Sequence, residues 1–186
     1  MRKLIGLLLS LFLLCGCKAD NRDVSTVMDL RTRLQKCQSC SFSATVTADY
    51  NTMVYKFTVD CVVNSEGDLT FTVMNPESIS GITGVIGGKG GKLTFDGQML
   101  AFDTLADGQI SPVSAPWVMM KTLTGGYISA AGRDGEQIRG IFNDSYREQA
   151  LELDIWFDES VLPKHCEILW QGRRVLSLDV DNFVIL

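Results

Sequence analysis

Among its 186 residues the chain has one histidine, no basic cluster after Arg2 and Lys3, and a single long apolar run. Each scarcity excludes something. With 17 basic against 22 acidic residues and a net charge of −5, nothing offers the electrostatic footprint that nucleic acid requires. The lone His165 stands beside Cys166 without a G-x-S-x-G elbow or a metal-ligand helix, so histidine-based hydrolysis finds no partners. Acidic pairs Asp154/Asp158 and Asp179/Asp181 fall on strand faces or turns, where carboxylates meet water, and nothing near them suits general acid work. No low-complexity stretch or internal repeat occurs, and 46% hydrophobic residues in a chain this long suffice for one packed domain.

The apolar run sits at the start. Residues 4–15 follow Arg2-Lys3 and reach only about half to two thirds of the ~20 residues a spanning helix needs. That is the form of an export signal. It closes on Leu14-Cys15-Gly16-Cys17, which resembles the bacterial lipobox, in which a small residue precedes the lipidated cysteine. Gly16 before Cys17 fits; Leu14 before Cys15 is too large. The expectation is a signal peptide over 1–16, a lipidated tether over 17–22 anchored by a diacylglyceryl group on Cys17, and one domain over 23–186 at the extracytoplasmic face of the cell membrane. Losing Arg2 and Lys3 takes the net charge from −5 to −7, so the domain has no attraction of its own for anionic headgroups.

Four thiols remain, Cys37, Cys40, Cys61 and Cys166, in a compartment where oxidation is possible. A two-residue turn at Tyr50-Asn51 pairs residues whose numbers sum to 101, which sets Cys40 opposite Cys61 as a closely spaced pair at ~4.5 Å. A Cys40–Cys61 disulfide is therefore expected, with Cys37 and Cys166 either bridged or free. Cys37 and Cys40 also have thiol-oxidoreductase spacing, but that motif works at a helix start and this one follows a helix. A zinc site from Cys37, Cys40, His165 and Cys166 lacks a second paired-ligand motif. The glycine run from Gly87 to Gly91 is followed by Lys92-Leu93 rather than lysine and a hydroxyl residue, so it is no phosphate loop.

Helical spacing of Val24, Val27, Met28, Leu30 and Leu34 predicts an amphipathic helix over 23–36. The period then becomes two. Phe42, Ala44, Val46 and Ala48 alternate with Ser and Thr, and Tyr55, Phe57, Val59 and Cys61 continue the pattern on a second strand. Further strands are expected at 69–73, 82–86, 92–95 and 98–102, then a helix between Ser111-Pro112 and Gly125-Gly126, then strands at 127–131, 137–142, 150–157, 165–170 and 174–184. The fold class is α+β: one curved antiparallel sheet of about ten strands, an incomplete barrel, covered by helices.

The first helix with residues 29–34, Ser41-Phe42-Ser43-Ala44 opening the first strand, Asn75-Pro76 after the third, Gly91-Lys92-Leu93 and Asp96-Gly97 together resemble the family of the lipoprotein carrier LolA and its relatives LolB and RseB. The resemblance implies a half-barrel around an apolar cavity that holds a lipid or lipoprotein acyl chain, with no catalytic residues, cofactor or metal. An RseB-like sensor or scaffold with a membrane-protein partner is the other implied role. The lipobox favours tethered handling at one membrane, as in LolB, over shuttling. The expected lining is Leu30 and Leu34 on the first helix, Phe42, Val46, Phe57, Val59 and Phe71 on the first strands, and Trp117, Met120 and Leu123 on the second helix. A bound tail would recover ~0.8 kcal/mol per methylene.

Overall fold

The computed structural model describes residues 21–50, 53–102, 105–106 and 109–186. Cys17, the signal over 1–16 and most of the tether lie outside the described residues. Helix α1 (Asn21–Lys36) is followed by strands β1 (Ser39–Asp49), β2 (Val54–Asn64), β3 (Leu69–Asn75), β4 (Thr83–Gly87), β5 (Gly90–Phe95) and β6 (Gln98–Phe102). A small hairpin, β7 (Leu105–Ala106) and β8 (Gln109–Ile110), leads through a 3-10 turn (Pro112–Ser114) into α2 (Ala115–Gly125). Strands β9 (Tyr127–Asp134), β10 (Gln137–Asn143), β11 (Glu152–Phe157), β12 (Pro163–Trp170) and β13 (Arg173–Ile185) complete the chain.

Eleven of these strands form one antiparallel sheet in the order β6-β5-β4-β3-β2-β1-β13-β12-β11-β10-β9. It is open, because β6 and β9 are not paired to each other. The chain builds it as two meanders that join where β13 returns to lie beside β1, Cys40 opposite Ile185 and Ala48 opposite Leu176. A bulge lies between Ser41 and Ser43 in that pairing. Asn182 carries a φ of 55° on the opposite strand, the left-handed conformation that asparagine tolerates better than most. The bulge keeps Phe183 on the inner face, where its ring stacks on Phe42 at 5.3 Å.

The even-numbered residues of β1 from Cys40 to Ala48 are buried and the Ser and Thr between them are half-exposed, as the alternation requires. On the outer face Ser43 Oγ donates to Asp60 Oδ1 at 2.7 Å, and the Thr45 and Thr58 hydroxyls meet at 3.2 Å. Helix α1 packs over β9 and β10, and α2 packs over β10 and β13 and against α1. Both cover the inner face. α2 is buried at Ala115–Met120, Thr122 and Leu123, so it is embedded rather than laid on the surface as an amphipathic lid.

The β1–β2 register differs from the expectation. Asp49 pairs with Val54 and Phe42 with Cys61, so paired numbers sum to 103, and Tyr50 N–H closes the ladder on Met53 O at 3.0 Å. A two-residue change in sum leaves every side chain on the same face, so alternation alone could not distinguish the two registers. Cys40 now faces Val63. Cys61 becomes its diagonal neighbour, at the ~7–8 Å Cα spacing that lies outside the disulfide window. All four thiols are free, which corrects the Cys40–Cys61 bridge and, of the two alternatives for Cys37 and Cys166, gives the free one.

Gly84 is opposite Phe71 on the inner face. A Cβ there would lie 2.5 Å from the Phe71 ring and 2.7 Å from Lys92 O. Phe71 is fully buried and cannot yield, so Gly84→Ala is expected to lower stability by about 1–3 kcal/mol through overpacking. A shift in urea midpoint without a change in slope would measure it.

Candidate functional site

The helices and the sheet part at one seam. There the last turn of α1 brings Leu34 and Gln35, the entry to β1 brings Cys37 and Cys40, β2 brings Val63, and α2 brings Trp117, Met120, Lys121 and Thr124. With residues 64–68 and Gly88 they enclose an open cleft of about 410 Å³, within the ~300–1,000 Å³ typical of small-molecule sites. Its lining mixes apolar Leu34, Val63, Trp117 and Met120 with charged Glu66, Asp68 and Lys121.

Each wall has an identifiable support. Asn64 Oδ1 accepts from the Glu66 and Asp68 amides at 3.0 Å, an Asx arrangement that fixes the β2–β3 turn. Gly67, at φ 83°, takes a conformation open to glycine, and its carbonyl accepts from Trp117 Nε1–H at 3.1 Å. That bond ties α2 to the turn across the mouth. Lys121 Nζ lies 5.0 Å over the Trp117 ring, a cation–π contact. At the far end of α2, Arg31 Nε donates to Leu123 O at 2.6 Å and Gln35 Nε2 to Thr124 O at 2.7 Å, so α1 satisfies carbonyls that the helix terminus leaves open.

Of the ten residues expected to line a cavity, Leu34, Trp117 and Met120 line this cleft. Leu30, Phe42, Val46, Val59, Phe71 and Leu123 do not. They are at most 3% exposed, are absent from the cleft lining, and belong to the packed core. Phe57 is half-buried on the inner face, opposite Val46. The hollow expected at mid-sheet is therefore filled by side chains at these positions, and the cleft lies at its margin. Val63 and residues 64–68 carry no sequence signal of a site beyond the turn-forming Glu66-Gly67, and Cys37 stood out as a thiol but not as a lining residue.

A second apolar region escapes helix cover. Leu93 faces Gly84 and Leu100 on the inner face, where Leu100 is 60% exposed and Phe95, two residues from Leu93 on β5, is also exposed. Tyr55 is exposed at the neighbouring end of β2.

Three of the cysteines, Cys40, Cys61 and Cys166, are buried and not activated. Burial pushes the Cys40 thiol from about 9 up to about 12, with Cys37 nearby adding to the rise, and burial raises Cys61 and Cys166 as well. A thiol-redox centre needs the opposite shift. His165 and Cys166 are consecutive residues of β12, Cys166 buried on the inner face opposite Ile155 and Leu178. His165 is on the outer face with Nδ1 2.7 Å from Asp179 Oδ1. The four residues weighed for zinc therefore do not converge.

These thiols predict a pH response. Their folded values exceed the unfolded ones, so their contribution is intact below the unfolded pKa and is lost as pH climbs toward the folded value. For Cys40 that window runs from about 9 to about 12. The denaturation midpoint should fall steadily above pH 9, and Cys→Ala variants at 40 and 61 should flatten the fall. A thiol reagent at pH 8 should modify half-exposed Cys37 and spare the other three until the chain unfolds.

No family model matches the sequence, and no curated protein matches it. Solved structures do. The chain is similar to an uncharacterized conserved protein from Thermus thermophilus at 12% identity and a TM-score of 0.49, covering 88% of this chain and 87% of that one. It is similar to a putative outer membrane lipoprotein-sorting protein domain from Vibrio parahaemolyticus at 9% identity and 0.47, covering 86% and 90%. A LolA superfamily protein from Nitrosomonas europaea matches at 8% identity and 0.43, covering 86% and 93%. The open eleven-stranded sheet with helices on its inner face is the architecture that the sequence resemblance implied.

Proposed function

We propose that this protein is a membrane-tethered extracytoplasmic lipoprotein, anchored through Cys17, that binds a lipid or lipoprotein acyl chain in the cleft between α1, α2 and the β2–β3 turn. The observation that carries the reading is the cleft itself, whose lining sets apolar Leu34, Cys40, Val63, Trp117 and Met120 beside charged Glu66, Asp68 and Lys121. A tail laid on the apolar residues leaves water while its headgroup stays at the charged ones. Unbranched Met120 repacks around a flexible chain at small cost, and the Trp117–Gly67 bond is the contact that would open to admit it. No step of this function requires a reacting group.

Native mass spectrometry of the chain lacking residues 1–17 should recover bound lipid, and a fluorescent fatty acid should displace it. Met120→Trp fills the cleft and should weaken uptake about tenfold or more, the loss of roughly two buried methylenes. A wild-type protein that takes up neither lipid nor probe would end the proposal.

A second reading, an envelope module that binds a membrane-protein segment, is favoured by β6. This edge strand reads QMLAF, without charge or proline, and Met99 is 70% exposed. An edge so little protected is a template for strand addition. Recovery of one stoichiometric membrane partner, lost in Leu100→Lys while lipid uptake persists, would favour it.

A further inference from the structure

A separate pocket of about 410 Å³ lies where β9 begins, β10 ends and the β12–β13 turn approaches, and its lining shares no residue with the cleft. Tyr146 in its wall is 89% exposed and Tyr127 is 49% exposed. Their rings stand 5.5 Å apart, inclined at 49°, a tilted pair rather than a flat stack, and both line the pocket, here called the notch. An aromatic ring this far out of the core has given up most of its burial. The loop that presents it is nonetheless well tied. Asp144 N–H donates to Leu151 O at 3.0 Å, Asp144 Oδ1 accepts from Leu151 N–H at 2.8 Å, and Ala150 N–H donates to Arg147 O at 3.0 Å.

Glu148, Glu152 and Arg147 line the same pocket, and their side chains make no hydrogen bond or ion pair among the described residues. Two tilted π-faces beside two uncommitted carboxylates is the chemistry that recognises an organic cation. A cation within ~6 Å of a ring centroid is drawn to the negative face, and quaternary ammonium groups are held this way in aromatic cages. A flat neutral ring would instead prefer coplanar aromatic surfaces. We propose that the notch between Tyr127 and Tyr146 binds a quaternary ammonium group, with Glu148 and Glu152 supplying the countercharge. Arg147 is placed to pair with a phosphate on the same ligand, which points to phosphocholine chemistry over the bare cation.

The group has two sources, a free solute or a lipid headgroup, and the test separates them. The full chain is titrated with tetramethylammonium, choline, phosphocholine and dihexanoylphosphatidylcholine below its micellar concentration, at constant ionic strength, while the tyrosine ring protons are followed by NMR. Saturable shifts are expected at Tyr127 and Tyr146. Tyr127→Ala and Tyr146→Ala should each weaken binding about five- to tenfold, and Glu148→Gln less. Phosphocholine should bind more tightly than choline, and Arg147→Gln should erase that difference. Tighter binding of the short-chain lipid than of phosphocholine assigns the site to a headgroup, and equal binding assigns it to a solute. Met120→Trp should leave the Tyr127 and Tyr146 shifts with the three acyl-free ligands unchanged, and the short-chain lipid is compared with phosphocholine in that variant, so the fate of the cleft does not decide that of the notch. Absence of saturable binding by any of the four ligands, or binding indifferent to Tyr146→Ala, would overturn the proposal, as would preference for a neutral N-acetylglucosamine oligomer.

Discussion

Phe71→Ala should destabilise the protein by about 3–5 kcal/mol, the range for removing a fully buried aromatic ring and leaving a cavity behind. The expectation rests on where the ring sits. Phe71 is 1% exposed, pairs with Cys61 on one side and Gly84 on the other, and covers the site where Gly84 has no side chain. Its neighbours are backbone and other core groups that cannot close over the loss. If Phe71 instead lined an empty acyl site, truncation would only enlarge a void already present and the cost would be much smaller. Urea denaturation of the ligand-free protein therefore distinguishes filled core from hollow at the position where the two readings disagree most. A loss below about 1.5 kcal/mol would contradict a packed interior.

Arg139→Met is the second large effect, and it arises on the opposite face of the sheet. Asp154 on β11 is buried between Ile141 and Glu167 of the adjoining strands. Its Oδ2 accepts from Arg139 Nη2 at 2.5 Å, while Oδ1 has no hydrogen-bond partner among the described residues. The guanidinium also lies 5.0 Å from the Trp156 ring. Removing the arginine strands a carboxylate away from water beside a second acid, a change that typically costs 3–5 kcal/mol. Because the Arg139 side chain is 38% exposed, some water reaches the pair and the lower end, about 3 kcal/mol, is expected. Asp154→Ala should cost less, since the exposed guanidinium can turn to solvent. The double variant Arg139→Met with Asp154→Asn should recover much of the loss, and a thermal melt of the three proteins reads the order directly. Equal losses in both single variants would mean that the pair is simply solvated.

These two positions also show what alternation conveys. The run Phe42, Ala44, Val46, Ala48 identified an inner face and was right at each residue. It could not say what covers that face. Val46 and Phe57 are register partners with the same apolar character, yet one is fully buried and the other half-buried, because cover is supplied by elements far away in the chain. The same blindness explains the misplaced thiols: period two fixes a register only to within two residues, and a disulfide needs it to the residue. α2 was expected to cover a cavity with Trp117, Met120 and Leu123. Its remaining faces are buried too, because β10, β13 and α1 close around it.

The cleft was legible only in part. Leu34, Trp117 and Met120 stood out as apolar residues on helices, but Val63 reads as any strand residue and residues 64–68 as any turn. Their meeting depends on Trp117 reaching Gly67 O across 50 positions.

Local order was written in the chain: the helix expected over 23–36, the meander, the strand end at Asn75 before Pro76, the second helix and the returning strands all follow from side-chain period and turn chemistry, which act over a few residues. Tertiary structure alone decided that β13 pairs with β1, that the interior is occupied where a hollow was expected, and that the opening lies at the helix–sheet margin. Those outcomes depend on how volumes from distant segments fill one shared space, and no short stretch of sequence carries that sum.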